Sequence, residues 1–519
     1  MQGTAEGGAR GQGRRRSAWL KGLVTVTGAG VMAVEFAAER LLAPFFGNSE
    51  LVWGLLIGLI LLGLSLGYQW GGRLADRHPD PRWLGGVVLA SGVWTAALPS
   101  AAEPLLRVTA QGLLATPAGL VVAALVGVAV LFVPPVVALG AVSPYAVRLS
   151  VSRVADSGET AGALYAWATL GSLLGTFVPV FWTIPSFGVR ATLWGTGAVL
   201  IAAGASCAGL PWAFLALAVP LGLAHAAPAW LKPMPGLLAE VETPYQFAEV
   251  WRYGAGGVAL SVNDGAGIQS VWTPSPLTGL YYDAFVVLPF LFPPGRPISA
   301  LVLGMGAGTI PTLFFRDVDP VRAAPVRVTG VEIDPVLTAL GRRYFHLVPE
   351  AATVVHEDAR VYLETHAQRF DLIVVDAYSN EIYIPFTLTT RQFFELVAAH
   401  LMPGGLLAMN VNAVDPRAPL LRDLERTLET VFPWVGVARA PGAYNYLVVA
   451  AFHPFPAPDP ASLPRTLRPP ARLVAATWHR AHPGPGLVFT DNRAPVETLT
   501  NQMILSRLLP ALRASAGGQ

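Results

Sequence analysis

The chain has 519 residues, more than one ordinary domain holds. Its residues are 53% hydrophobic and only 13% charged, whereas soluble domains carry about 25% charged residues. This deficit favours a membrane protein, and the formal net charge of +2 gives no indication of a nucleic-acid partner. The single cysteine, Cys207, excludes a disulfide framework within the chain.

The apolar residues are concentrated in the N-terminal part of the chain. Between Ala161 and Leu231 the only formally charged residue is Arg190, and charge returns beyond Glu240. The proline-rich link "WLKPMPG" lies at this change and predicts a domain boundary near residue 235. The predicted parts are a basic N-terminal tail (1–19), a helical transmembrane bundle (20–235) and a second, α/β domain (236–510).

The bundle is predicted from stretches of roughly 20 mostly apolar residues, the length that crosses a membrane. The first stretch is not a cleavable signal peptide, because it is too long and further spans follow. Small residues recur within the spans, as in "GSLLG" (171–175), and allow close helix packing. We predict about seven spans, with six or eight as alternatives: 20–46, 51–72, 83–100, 117–141, 160–187, 190–209 and 211–230.

The first span carries Glu35, Glu39 and Arg40. Acidic residues inside a bilayer are costly and often functional, and the two acids share a helix face at i, i+4 spacing. Two interpretations stay open: an ion or polyamine path, or a polar cluster that locks helix packing. "GGRLADR" (71–77), which is similar to a short loop of major facilitator transporters, keeps transport as an alternative.

The α/β domain is predicted to begin with a small β subdomain over about 241–275, where alternating runs flank an Asn-Asp-Gly turn signal. A helix-like stretch covers 280–291, and "ALVLG" predicts a buried strand. Gly304, Gly306 and Gly308 then predict a tight turn, with a helix starting near Thr309. Such a turn lets the backbone approach a ligand closely and offers free N–H groups at the helix N-terminus.

Three later strands each lead to an acidic residue. "VRVTGVEID" leads to Glu332, "TVVHEDARVYL" to Asp358 at a helix start, and "FDLIVVDAY" to Asp376. Glu332 could accept both ribose hydroxyls, and Asp358 could contact an adenine amino group or only cap its helix. "LMPGGLLAMNV" (401–411) predicts a helix end, a glycine turn and a fifth strand. Because open α/β sheets bind ligands at the carboxyl ends of their strands, this order predicts a nucleotide site.

Over about Val241 to Val449 the sequence resembles the spermidine synthases, which are polyamine aminopropyltransferases with a Rossmann-like fold of the class I methyltransferase type. The likeness includes "TPYQFAEV" (243–250), "GIQS" (267–270) and "LYYDAFVVLP" (280–289). "GALYAWATLGSLLGTFVP" (162–179) and "TDNRAPVE" (490–497) are similar to the membrane-fused bacterial members of this family.

The resemblance implies transfer of an aminopropyl group from decarboxylated S-adenosylmethionine to an amine acceptor such as putrescine, without a metal or prosthetic group. A homodimer is a further expectation. By position, Asp376 would orient and deprotonate the amine. The amine would be bound by Tyr282, Asp283, Ser379 and Glu381. The nucleoside co-substrate would be bound by Gln246, Gly304, Gly306, Gly308, Glu332, Asp358 and Ala359.

The chain departs from the family pattern around the amine. Ala307 and Ser379 stand where the family has acids, Asn380 replaces a proline, and Tyr282 and Asp283 replace a His-Glu pair. Hydrogen bonds to charged groups contribute roughly 1.5–3 kcal/mol each, so the two missing carboxylates weaken recognition of a dicationic amine. Two alternatives therefore stay open: an S-adenosylmethionine-dependent methyltransferase, or a membrane transporter or sensor with a non-catalytic nucleoside-binding domain.

We expect a multi-pass protein in a bacterial inner membrane, with the C-terminal domain in the cytoplasm. Basic residues before the first span and after the second and fourth favour a cytoplasmic N-terminus. Seven spans would then place the C-terminal domain outside, away from a cytosolic nucleotide. The expectation therefore needs one span to be missed, merged or re-entrant, within 101–116 or 190–230.

Overall fold

The computed structural model divides the chain into two compact units between Pro233 and Met234, close to the boundary predicted at 235. Clusters of buried apolar residues lie within each unit. The structure describes residues 3–47, 50–113, 117–151, 153–226, 230–263, 265, 267–379, 382–442, 444–482 and 484–503.

The N-terminal unit is built from helices that pack side by side. A π-helical turn (Pro179–Thr183) joins two of them, and Gly188 breaks the second with φ 80° and ψ 169°. A 3-10 helix (Pro211–Leu217) precedes the last one. The helices are α1 (Gly3–Phe46), α2 (Glu50–Arg77), α3 (Pro81–Leu113), α4 (Pro117–Leu131), α5 (Val133–Gly140), α6 (Val142–Ser150), α7 (Ser157–Val178), α8 (Ile184–Ala208) and α9 (Ala218–Ala226).

Among the described residues, four helical stretches are long and apolar enough to cross a membrane, or five if a pair bent by 44° is one span. This count differs from the seven predicted for two reasons. The predicted spans 160–187 and 190–209 lie in one 55-residue run, and Pro211–Ala226 is a shorter apolar helix. The stretches are Ser17–Phe46, Val52–Arg77, Pro81–Ala102 and Val154–Ala208, with the bent pair Val122–Leu131 and Val133–Ser150.

Glycine contacts show the directions of the packed helices. Gly171 and Gly175 of α7 lie against Thr25 and Ala29 of α1, respectively, so these helices run parallel. A Cβ at either glycine would collide with the α1 backbone, which confirms the close packing predicted for "GSLLG". Helices α3 and α8 run antiparallel and approach through Gly85, Gly92, Gly197 and Gly204.

After α8 the chain returns along this helix. Pro211–Leu217 contacts α8, and α9 contacts both α8 and α3. Arg190, near the start of α8, donates a hydrogen bond to the carbonyl oxygen of Trp230 at 3.3 Å. Leu20 and Cys207 share a core cluster at the other end of the helices. The chain therefore leaves this unit at the end opposite to the one where Leu20 lies.

The C-terminal unit begins with an antiparallel sheet in the order β1-β2-β3-β4. Alternate residues such as Ala248, Val250 and Leu260 pack into one core cluster that also contains Ala307. This sheet lies where the β subdomain is predicted and begins four residues earlier than 241. Its strands are β1 (Leu237–Glu242), β2 (Phe247–Tyr253), β3 (Gly257–Val262) and β4 (Ser270–Trp272).

The larger sheet holds the predicted Rossmann-like core, with parallel central strands and an antiparallel edge. Its strands are β5 (Ile298–Leu303), β6 (Val326–Val331), β7 (Thr353–Val355), β8 (Phe370–Val375), β9 (Leu401–Asn412), β10 (Trp434–Arg439), β11 (Asn445–Ala451) and β12 (His479–Arg480). The order is β12-β10-β11-β9-β8-β5-β6-β7. Strands β5 to β9 run parallel, and β10 to β12 pair antiparallel. The stretch 280–291 is a 3-10 helix, Tyr281–Leu291.

Helices cover the faces of this sheet, and one predicted boundary was wrong. Residues 401–405 are the first part of β9 rather than a helix end and turn, because a register shift lets the strand continue past Gly404. The preceding helix ends at Ala399. The helices are α10 (Thr309–Leu313), α11 (Pro335–Tyr344), α12 (Ala359–Thr365), α13 (Arg391–Ala399), α14 (Pro419–Glu429) and α15 (Arg468–Thr477).

Gly304 follows the central strand β5 and packs against the loop after β8. Its φ is 82°, a conformation that favours glycine. A Cβ at this position would lie 2.5 Å from the Cα atom of Ala377. The glycine turn after β5 is therefore packed directly against the residue that follows Asp376.

We expect Gly304→Ala to destabilise this contact more than the backbone strain alone would. Gly404→Ala is the matched control, since Gly404 has φ 78° and a Cβ added there would meet open space within 4 Å. Both changes cost about 1–2 kcal/mol for a left-handed alanine, but only Gly304→Ala adds a collision with the Ala377 backbone. Thermal unfolding of the full chain in detergent should show the larger fall in melting temperature for Gly304→Ala. Equal falls would contradict the packing argument.

Candidate active site

Asp376 is the central carboxylate of the candidate site. It follows the fully buried strand β8, and the residue is 9% exposed. Its Oδ2 accepts a hydrogen bond from the Tyr281 hydroxyl and its Oδ1 accepts one from the Asn410 side-chain amide, both at 3.1 Å. Burial raises the pKa of Asp376 to about 7, although both hydrogen bonds lower it. A carboxylate held in this way can exchange a proton near neutral pH.

Two tyrosines enclose Asp376. Tyr281 reaches it from the 3-10 helix, and Tyr378 lies in the loop after β8, where its hydroxyl donates to the Asn410 carbonyl oxygen at 2.8 Å. Burial raises the pKa of Tyr281 and of Tyr378 well above the usual range, and the nearby Asp376 charge adds to this. Both phenols therefore remain protonated and can act as hydrogen-bond donors.

The predicted amine-binding residues Tyr282 and Asp283 contact the loops around the site. The Tyr282 hydroxyl donates to the Ile268 carbonyl oxygen at 2.9 Å. The Asp283 carboxylate accepts three hydrogen bonds of 2.8 Å, two from Thr278 and one from the Gly279 N–H. Tyr281, the residue before Tyr282, is the tyrosine that reaches Asp376. An amine-binding role for Tyr282 and Asp283 stays a prediction.

Ser379 lies on the exposed side of the loop that follows Asp376. Its N–H donates to the Tyr383 carbonyl oxygen at 2.8 Å, and the Tyr383 N–H donates back at 3.0 Å. The Tyr383 hydroxyl donates to the Asn501 side-chain oxygen at 2.6 Å. These contacts close the loop between residues 379 and 383, and the predicted Glu381 lies outside the described residues.

The predicted nucleotide side of the site consists of the glycine turn and Glu332. The Gly306 N–H donates to Glu332 Oε2 at 2.7 Å, and the Asp334 N–H donates to Oε1 at 2.9 Å. Burial raises the pKa of Glu332 to about 7, partly offset by these backbone donors and increased by the Asp334 charge. Each carboxylate oxygen has a second acceptor position, so Glu332 can also accept hydroxyl groups of a ligand.

Glycine conformations shape the same turn. Gly306 has φ 57°, and a Cβ there would lie 2.7 Å from the Ser270 hydroxyl oxygen. Gly308 has φ 89° and precedes α10 directly. The Ala307 N–H donates to the same Ser270 oxygen at 2.9 Å. These contacts connect the turn to the small β sheet.

The other predicted nucleotide-site residues lie at element ends. Asp358 Oδ1 accepts from the N–H groups of Arg360 at 2.8 Å and Val361 at 3.1 Å, which caps α12. Capping, one of its two predicted roles, is confirmed, and the adenine contact stays a prediction. Ala359 is buried at the first turn of this helix. Gln246 is half-buried in the turn between β1 and β2, where its N–H donates to the Thr243 hydroxyl at 3.0 Å.

Tyr281, Tyr378 and Asn410 were not predicted as site residues from the sequence. Asn410 lies near the carboxyl end of a buried strand in "LLAMNVN", which is the same signal that identified Asp376. Tyr281 had no such signal, because a 3-10 helix changes which of two adjacent side chains faces the site. Within the described parts of the chain, no group of three or more His, Cys, Asp or Glu side chains is arranged to hold a metal ion.

Comparisons with known proteins identify the domain that carries this site. Residues 299–448 match the spermine/spermidine synthase domain. A probable polyamine aminopropyl transferase of Bifidobacterium longum is 35% identical over 198 residues, covering 38% of this chain and 42% of the relative. A polyamine aminopropyltransferase of Vibrio vulnificus is 35% identical over 133 residues, covering 25% and 42% respectively. The chain thus spans less than half of the length of these relatives.

A solved structure of a probable spermidine synthase from Corynebacterium glutamicum is 20% identical, with a TM-score of 0.40, and the match covers 50% of this chain and 97% of that chain. The domain matched over 299–448 extends from β5 into β11, so it contains Gly304, Glu332, Asp358 and Asp376. The family resemblance predicted from the sequence is confirmed for this part of the chain. Residues 299–448 are therefore similar to the spermine/spermidine synthase domain.

Proposed function

We propose that the C-terminal unit transfers an aminopropyl group from decarboxylated S-adenosylmethionine to an amine acceptor such as putrescine. The observation that carries this proposal is the buried Asp376 carboxylate, held by Tyr281 and Asn410 at the carboxyl edge of the sheet. The family of the matched domain and the names of its relatives support the same chemistry.

In the proposed reaction, an ammonium group first gives a proton to ionised Asp376. The free amine nitrogen then attacks the carbon beside the sulfonium, and a C–N bond forms while the C–S bond breaks. The electron pair of the C–S bond stays on sulfur, so the leaving thioether is neutral and needs no acid. Asp376 finally returns its proton to solvent. A carboxylate with a pKa near 7 suits this cycle, because it is ionised before attack and can accept a proton.

The co-substrate would lie across the glycine turn. Glu332 would bind the ribose hydroxyls through its remaining acceptor positions, and Gly304, Gly306 and Gly308 would allow close approach of the ligand to the backbone. Asp358 and Ala359 would flank the adenine, and Gln246 would contact the chain that carries the sulfonium. Ala377 packs on Gly304, so the nucleoside side and the Asp376 side share one contact.

The direct test is incubation of the full chain, in lipid nanodiscs, with a panel of mono- and diamines and either form of the co-substrate. A product heavier than the amine by one aminopropyl group, formed from the decarboxylated co-substrate, is the expected result. A methylated amine formed only from intact S-adenosylmethionine would establish the methyltransferase alternative instead. Binding of the nucleoside without any product would establish the non-catalytic alternative.

Asp376→Asn should abolish turnover and leave nucleoside binding intact. Loss of a general base lowers rates about 10²–10⁴-fold, and the amide preserves shape and can still pair with both neighbours. The folded-state pKa of about 7 lies above the unfolded value of about 3.9. Ionised Asp376 therefore destabilises the fold increasingly as pH rises from about 4 to 7. The variant should consequently melt at the same or a higher temperature than the wild type at pH 8. Full turnover in this variant would refute the assigned role.

The pH dependence of the wild type offers a separate prediction. At saturating co-substrate, kcat/KM for the amine should rise with pH and level off above an apparent pKa near 7, because Asp376 acts in its ionised form. Saturation matters, since Glu332 also has a pKa of about 7 and would otherwise contribute through nucleoside binding. A rising limb near pH 4, the ordinary range of aspartate, would contradict a buried catalytic carboxylate.

The N-terminal unit is proposed to span a lipid bilayer. Its apolar helices have the required length, and their exposed apolar side chains include Leu61, Phe181 and Trp182. The two ends of its chain lie at opposite ends of the helices, because Trp230 lies beside Arg190. In the proposed arrangement, the basic tail and Trp230 therefore lie on opposite faces of the bilayer. We place the C-terminal unit in the cytoplasm, where a nucleoside co-substrate is available.

Tags at the two termini of the full chain, probed in intact cells, test this topology. We expect them to be accessible from opposite faces of the membrane, with the C-terminal tag protected from an external reagent. If both tags were accessible from the same face, the chain would not enter and leave the helical unit at opposite ends, and the proposed topology would be wrong. A protected N-terminal tag with an exposed C-terminal tag would follow the positive-inside trend, and would remove cytosolic co-substrate from the proposed reaction.

A further inference from the structure

We propose that Asn445 is a positioning residue for Asp376 and acts through the side-chain amide of Asn410. This inference deepens the proposed function, and its turnover readout rests on that function. It concerns three amides around the carboxyl end of β9, of which Asn410 donates to Asp376. We call Asn410, Asn412 and Asn445 the amide cluster.

The pairing of β9 with β11 brings the amide cluster together. Asn445 is directly opposite Asn412, and Leu447 is opposite Asn410. Residues two apart on a strand share a face, so Asn445 also reaches Asn410 diagonally. The Asn445 Nδ2 atom lies 3.1 Å from Asn410 Oδ1 and 2.6 Å from Asn412 Oδ1. One amide group thus donates to both of its neighbours.

The donor and acceptor roles of these groups form one consistent chain. Ionised Asp376 can only accept hydrogen bonds, so Asn410 must direct its NH₂ group toward it. The oxygen of the same Asn410 amide then faces Asn445, which must donate. Rotation of the Asn410 amide by half a turn would place an oxygen against the Asp376 carboxylate and an NH₂ group against that of Asn445. Asn445 therefore selects the orientation in which Asn410 stabilises the ionised form of Asp376.

Asn410 is the partner of Asp376 whose orientation needs to be fixed. It is 2% exposed, so water cannot readily replace a lost donor. Tyr281, from the 3-10 helix, is the other partner, and its hydroxyl hydrogen can rotate. The titratable side chains that interact with Asp376, among those described, are Tyr281 and Tyr378. The ring of Tyr282 lies tilted against that of Tyr281, with the ring centres 4.0 Å apart. Tyr281 and Tyr378 remain protonated, so the amide cluster affects the ionisation of Asp376 alone among these side chains.

Asn445→Leu is the decisive variant, because it removes the donor without adding a charge. With the constraint on Asn410 lost, the ionised form of Asp376 is less stabilised, and the rising limb of kcat/KM should move to higher pH. A shift of one pH unit lowers the rate at pH 6 about tenfold and leaves the plateau at pH 9 unchanged, because a rate limited by protonation falls tenfold per unit below the pKa. Asn445→Asp should shift the limb further, since an acceptor at this position turns the Asn410 amide around.

Asn412→Leu is the matched control within the amide cluster. It removes the other acceptor of Asn445 and leaves the contact between Asn445 and Asn410 in place. We expect the limb to stay at its wild-type position or below it. A uniform fall in rate at every pH for Asn445→Leu, or an equal shift for Asn412→Leu, would overturn the positioning role.

A second readout does not need turnover. The difference in melting temperature between the wild type and Asp376→Asn, followed from pH 4 to 9, reports the ionisation of Asp376 by linkage. In the Asn445→Leu background this difference should develop at higher pH. An unchanged linkage curve would overturn the inference even if no amine were a substrate. A shifted curve without aminopropyl transfer would sustain it and count only against the proposed function.

Discussion

The site depends on keeping an acceptor-only carboxylate away from water. Moving a charge into a protein interior is costly unless hydrogen bonds compensate, and Asp376 has two side-chain donors for this purpose, Tyr281 and Asn410. These donors come from two elements that are far apart in the sequence. Tyr281 is in the 3-10 helix before β5, and Asn410 is in strand β9 after β8. The carboxylate therefore requires the 3-10 helix to be packed against the large sheet. Its raised pKa shows that compensation is incomplete, and this leaves Asp376 able to take a proton.

The parallel order of the central strands explains how distant residues converge on this carboxylate. Strand β5 lies between β6 and β8, so the glycine turn after β5 has Glu332 on one side and Ala377 on the other. Gly304 is required at this point for two reasons: its positive φ favours glycine, and a Cβ would collide with Ala377. A disturbance of the turn thus reaches Glu332 and the loop after Asp376 together.

Patterns of the sequence predicted the residues whose signals are local. A buried apolar run that ends on an acid identified Asp376 and Glu332, and glycine spacing identified the turn between them. Tyr281 could not be found in this way, because the choice between two adjacent tyrosines is made by a 3-10 helix and its packing. Asn445 depends on the register of β11 against β9, which has no local signal. The stretch 211–230 was predicted as a span, but the apolar helix found there, Pro211–Ala226, is shorter than the helices that can cross a membrane.

Two buried acids with a pKa near 7 share the sheet edge, and their partners separate their roles. Glu332 receives backbone N–H groups from Gly306 and Asp334, which are fixed by the turn. Such donors suit a carboxylate that would bind a ligand without taking part in the proposed proton transfer. Asp376 is held by a hydroxyl and an amide instead, and we propose that Asn445 disfavours the alternative orientation of this amide. In the proposed reaction Asp376 gains and loses a proton in each cycle. Side-chain donors suit this role, because an outer residue such as Asn445 can change their orientation without moving the backbone.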